Sequence, residues 1–170
     1  MDAVLRQHRM WLSSPSEGRQ ADLSGAPLNG ENFTGADLRW LQAASACFHE
    51  SRFYDVDLDG SDVTAAGFYH ARLHHSRLRE MKGREANFAG ARIDHCDFSR
   101  SDLTSANFAR AYLIECSFRY AELEGCDFRE MRLRGGDFRG ANLRGAIGLT
   151  TAHISQALID EDTVLPFPTA

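Results

Sequence analysis

The sequence has one lysine, Lys82, against 18 arginines, only four cysteines and four prolines, and no long hydrophobic run. Each shortage excludes something. No segment approaches the roughly 20 apolar residues of a membrane span. The opening MDAVLRQHRMWLSSP has no apolar core of the kind a secretory leader needs, so the expected location is cytoplasmic, with no membrane contact. Four cysteines in such a chain read as reduced thiols rather than a disulfide framework. A net charge of −5 with dispersed arginines offers no polybasic footprint, which argues against direct nucleic-acid binding. What the chain does have is 170 residues, 43% of them hydrophobic, enough for one domain with a sizeable core.

Those hydrophobic residues are strictly spaced. From Leu23 to Leu143 every fifth residue is Leu, Phe, Val or Ile, with two exceptions, Ala43 and Gly83, in 25 positions. Two residues earlier stands a small residue, most often alanine. A fifth-residue repeat drifts by about 140° each time on a helix and smears its apolar groups around the surface. On a flat strand it alternates faces. Each unit must therefore carry its own bend, with the small and large residues pointing the same way along a short extended piece. Units that cannot bury their apolar face alone imply a stacked solenoid. Ten of the eleven phenylalanines lie in the frame, and a twenty-residue period sorts them: Phe48, Phe68, Phe88, Phe108 and Phe128 share one column. Four units per coil fit best. Where the large position shrinks, at Ala43 and Gly83, the small one has grown, to Leu41 and Met81, so volume is conserved.

The units ADLSG (21–25), ADLRW (36–40), ANFAG (86–90) and ANLRG (141–145) resemble the pentapeptide-repeat family, whose pattern is A(D/N)LXX. The resemblance implies an all-β fold, a right-handed quadrilateral β-helix, with the small and large positions inside and the other three outside. At about 4.8 Å per coil the rod would be roughly 30 Å long. Expected boundaries are an N-terminal helical cap over 1–20, the repeats over 21–147, and a C-terminal helical cap and tail over 148–170. Val4, Leu5, His8, Trp11 and Leu12 fall at helical spacing in the first cap, and Ile154, Ala157 and Leu158 on one side of a short helix in the second. Ile154, Leu158, Val164, Leu165 and Phe167 could cover the last coil of a monomer or form a homodimer contact, as in some members of the family.

Counting by twenty also charts the outer surface. Asp55, Asp57 and Asp59 in DVDLDGSD look like the start of a calcium loop, but the twelfth position is Ala66 and the solenoid frame makes these acids diverge. Cys96, Cys116 and Cys126 read as buried packing; Cys47 points outward. Arg52, Arg72 and Arg92 form a column, His49 stacks with Tyr69, Tyr54 with His74, His75 with His95, and His70 lies beside them. These ten residues form a basic, aromatic patch suited to a protein partner. Metal binding is not expected, because a convex rod offers about two ligands where zinc needs three or four. No catalytic constellation or cofactor site stands out. The expected function is a non-enzymatic interaction scaffold. The resemblance supplies an alternative: some family members mimic duplex DNA and bind DNA gyrase, conferring quinolone or toxin resistance. The column for that role is Asp37, Asp57, Asp97 and Asp137, interrupted by Arg77 and Ser117. Over residues 21–145 there are 19 acids and 16 bases, a sparse charge beside DNA's one per about 1.7 Å.

Overall fold

The computed structural model describes residues 2–167, and it is a solenoid of stacked four-sided coils. Residues pair in parallel with those twenty positions on. Asp22, Gln42, Asp62, Lys82, Asp102, Glu122 and Asn142 form one continuous ladder, and three further ladders run through Pro27, Asn32 and Asp37. The period is therefore four units per coil. Backbone groups are satisfied between coils in both directions: the Leu23 N–H donates to the Gln42 carbonyl, and the Gln42 N–H to that of Ala21.

The small and large positions fill the interior. Phe48, Phe68, Phe88, Phe108 and Phe128 stack with centroids 4.7–5.4 Å apart, matching a strand-to-strand rise. Leu41, Ala43 and Met81 are fully buried, and a Cβ on Gly83 would stand 3.1 Å from the Met81 methyl and 2.9 Å from Leu103. The exchange of volume between neighbouring positions is thus real.

The D/N of each unit has a local task. In most units its side-chain oxygen accepts the N–H two residues on, as Asp22 does from Ser24, Asn87 from Ala89 and Asp97 from Ser99. Such Asx turns fix the corner. The fifth residue of each unit then takes positive φ, which suits Gly25, Gly30 and Gly35 but is also adopted by sixteen other residues, among them His75 and His95.

Most corners close with an N–H bonded to the carbonyl three residues back, as Ala26 does to Leu23. The corner after residues 53, 73, 93, 113 and 133 lacks that bond. A side chain from the next coil bridges the gap at the first of these: the Ser76 hydroxyl accepts the Val56 N–H and donates to the Phe53 carbonyl. Ser51 and Ser101 do the same for the turns at Leu28 and Leu78. The open corner leaves the preceding face as extended strand: β1 (Arg52–Tyr54), β2 (Arg72–His74), β3 (Arg92–Asp94), β4 (Tyr112–Ser117) and β5 (Arg132–Asp137), a five-stranded parallel sheet in that order.

Helix α1 (Asp2–Ser13) closes one end. Leu5 packs on the core, and buried His8 accepts the Ala21 N–H at Nδ1, satisfying the first edge. Val4, expected on the buried side, is exposed. At the other end α2 is a single turn, Thr151–Ser155, capped by Thr150. The common helical side expected for Ile154, Ala157 and Leu158 does not form, because the helix stops before the last two. Instead the chain adds a partial rung, Leu158 pairing with Asp137 and Val164 with Asn142, at offsets of 21 and 22 rather than twenty. Ala157 and Leu165 touch the core and Ile154 and Phe167 are half-buried, whereas Leu158 and Val164 are 59% and 39% exposed. The outer parts of both expected caps, residue 1 and residues 168–170, lie outside the described residues.

Candidate basic and aromatic face

The β1–β5 sheet positions the patch. Its register stacks Arg52 on Arg72, Arg72 on Arg92, Arg92 on Tyr112 and Tyr112 on Arg132. Arg132 lies over the Tyr112 ring, 5.2 Å from its centroid. Among the described residues, no carboxylate oxygen comes within 4.0 Å of Arg52, Arg72 or Arg92, although Glu50 and Asp94 line the same shallow groove. Like charges on adjacent rungs repel by about 1 kcal/mol or less in water.

The aromatic residues fall on two corners rather than one. On the first, His49 meets Tyr69 edge-on at 6.2 Å and Tyr69 lies 3.9 Å from His70. The His70 ring leans over Gly90, where a Cβ would collide with it, and its Nδ1 is 3.1 Å from the Gly90 carbonyl. On the second, open corner, Tyr54 meets His74 at 6.1 Å, His74 lies 4.0 Å from His75, and His75 lies 4.9 Å from His95. His95 is held by two carboxylates: Nδ1 is 2.5 Å from Asp94 and Nε2 is 2.9 Å from Glu115. The Asp94 hydrogen bond, with help from Glu115, raises its imidazole above the ordinary histidine value.

One sequence expectation needs correction. The ring nitrogens of His74, His75 and His95 lie within 4.8 Å of one another, so the corner gathers three imidazoles rather than two. Counting missed the trio because residues 74 and 75 belong to adjacent columns, and only the open corner turns both side chains toward the same space. Writing the two columns side by side would have revealed it.

The aspartate column forms as counted, with Asp37 beside Asp57, Arg77 between Asp57 and Asp97, and Ser117 between Asp97 and Asp137. Its charges are spoken for. Arg39 bonds Asp37 at 2.7 Å and reaches Asp57 at 3.6 Å; Arg77 also pairs with Asp57; Arg139 bonds Asp137 at 2.5 Å. Those arginine hydrogen bonds hold the Asp37 and Asp137 carboxyls below the usual carboxylate range. Asp97 accepts both the N–H and the hydroxyl of Ser99. Asp59, from the calcium-like stretch, pairs with Arg79 at 2.5 Å. The cysteines follow the packing reading: Cys96, Cys116 and Cys126 are buried, and burial pushes the Cys116 and Cys126 thiols up to about 12 and Cys96 further still. Cys47 is half-buried.

A family profile described as a pentapeptide repeat region matches residues 41–108, and a second, for pentapeptide repeats in eight copies, matches 111–147. The chain belongs to the pentapeptide-repeat family. Solved structures similar to it include a pentapeptide repeat protein from the cyanobacterium Cyanothece 51142, at 16% identity over 95% of this chain and 99% of that one, with a TM-score of 0.47. Another, from the Arabidopsis thaliana thylakoid lumen, is 27% identical over 65% and 70% of the two chains, with a TM-score of 0.28. QnrB1, a plasmid-mediated fluoroquinolone resistance protein, is 17% identical over 81% and 78%, with a TM-score of 0.38. No curated protein matches the chain in sequence. Within the family, then, this member is marked out by its own surface columns.

Proposed function

We propose that the protein is a non-enzymatic scaffold that binds an acidic segment of a protein partner across the β1–β5 face. The observation that carries this reading is the ladder of Arg52, Arg72 and Arg92, three stacked cations without a carboxylate partner among the described residues. An unrelieved ladder weakens the free protein slightly, and an acidic segment would relieve it while its apolar side chains rest on Tyr54, Tyr69 and Tyr112. Such steering raises on-rate and fixes register more than it raises affinity. The interior is filled with packed Leu and Phe, and the grooves on the outside are shallow, which supports binding over catalysis.

The test is titration of the full chain with a labelled glutamate-rich peptide, followed by fluorescence anisotropy at two salt concentrations. Binding should weaken with salt and be lost in an Arg52→Ser, Arg72→Ser, Arg92→Ser triple variant. Binding that persists in that variant, or a preference for single-stranded oligonucleotide over peptide, would reject the proposal. The gyrase-binding alternative finds less support, because Asp37, Asp57 and Asp137 are already paired with arginine. A gyrase supercoiling assay separates the two: inhibition or protection at micromolar protein would favour mimicry.

A further inference from the structure

The open corner beside β1, β2 and β3 holds a second arrangement, independent of the arginine ladder. Two adjacent columns read Tyr54, His74, Asp94, Ile114 and Asp55, His75, His95, Glu115. Neither contains a lysine or arginine over these four rungs. Three imidazoles are thus flanked by carboxylates above, below and alongside. We infer that His74, His75 and His95 form a binding site for one divalent transition-metal ion of the zinc, cobalt or nickel class.

Chemistry and geometry both point this way. Neutral imidazole suits these ions, whereas calcium and magnesium require oxygen ligands. Tetrahedral zinc, with Zn–N bonds of about 2.0–2.1 Å, sets its ligand nitrogens roughly 3.3 Å apart. The three rings offer nitrogens within 4.8 Å of one another, so closing the site takes a shift of about 1.5 Å or less. Side chains on an exposed corner can make it by rotating about χ1 and χ2, with no movement of the stacked backbone.

The carboxylates complete the arrangement. A histidine that ligates a metal usually holds a carboxylate with its other nitrogen, which fixes ring orientation and tautomer. His95 has a carboxylate on each nitrogen, Asp94 on Nδ1 and Glu115 on Nε2. Whichever nitrogen the metal takes, the other keeps its partner. Asp94 also reaches His74, with 3.4 Å between its Oδ2 and His74 Nδ1. A three-histidine set leaves a fourth position facing solvent, open to water or to a carboxylate from outside.

The experiment uses the tag-free full chain with Zn²⁺ alone, by isothermal titration at neutral pH, and Co²⁺ in parallel for its visible absorption. The expected result is one ion per chain, with a Co²⁺ spectrum of tetrahedral intensity. His74→Ala, His75→Asn and His95→Asn should each weaken Zn²⁺ binding at least tenfold; Asn is chosen at 75 and 95 because it tolerates their positive φ. A second measurement needs no variant: in NMR spectra of the wild-type protein, Zn²⁺ should shift the ring signals of these three histidines and leave those of His8, His49, His70 and His153 in place. Absence of saturable binding, unchanged affinity in folded His75→Asn or His95→Asn protein, or shifts centred on other histidines would overturn the inference.

Discussion

The face bearing Asp57 and the face bearing Arg72 are built by the same repeat, on the same coil spacing, yet their charges behave oppositely. Down the first column the sign alternates, Asp57 to Arg77 to Asp97, and flanking arginines pair the rest. Down the second it repeats, Arg52 to Arg72 to Arg92, and nothing answers it. In a solenoid a column is a one-dimensional array of charges at strand spacing. Net charge says little about it; the order of signs along the column decides whether the charges stabilise the rod or await a partner.

Four measurements would break or sharpen that contrast. The largest effect belongs to neither face. Phe88→Ala, in the stack between Phe68 and Phe108, should cost about 3–5 kcal/mol in urea unfolding and weaken both faces alike. Next is Asp57→Ala. Its carboxylate accepts the Asp59 N–H and pairs with two arginines while mostly buried, so its loss should cost about 1–2 kcal/mol. A smaller, local effect concerns the N-terminal helix. Burial lowers the His8 pKa below its ordinary 6.5, so the unfolded cap binds a proton more readily than the docked one. The stability His8 contributes is therefore complete above about pH 6.5 and lost as pH falls below it. Trp11, stacked on His8 with centroids 5.7 Å apart, should report release of α1 by fluorescence before the coils unfold. Constant Trp11 emission down to global unfolding would contradict this. The smallest effect is expected for Arg72→Ser.

The solenoid was legible in the sequence because one physical constraint repeats in every unit. A large residue five positions on, with a small one two before it, admits only an inward stack, and the twenty-residue phenylalanine columns gave the coil. The surface followed by counting, and the Arg52, Arg72, Arg92 ladder and the aspartate column lie in register. What counting could not supply is the local geometry of corners. The missing turn bond after Phe53 and Leu73 is what brings His74 and His75 together, and it depends on hydroxyls such as Ser76 inserted from the next coil. Nor did the outward D/N position reveal its turn-capping role, which withdraws Asp97 from any charged display. The C-terminal rung escaped for a different reason: past Gly148 the five-residue frame ends, so Leu158 and Val164 pair by backbone alone, without a side-chain signal.

The central claim is that the arginine ladder is held for a partner rather than for the fold, and urea unfolding of Arg72→Ser against wild type, at low and high salt, addresses it most directly. The variant should be as stable as wild type or slightly more stable at low salt, with any advantage shrinking at high salt as the repulsion between Arg52, Arg72 and Arg92 is screened. A variant less stable than wild type by more than about 1 kcal/mol at low salt would show that Arg72 serves the rod itself, and the account would fail.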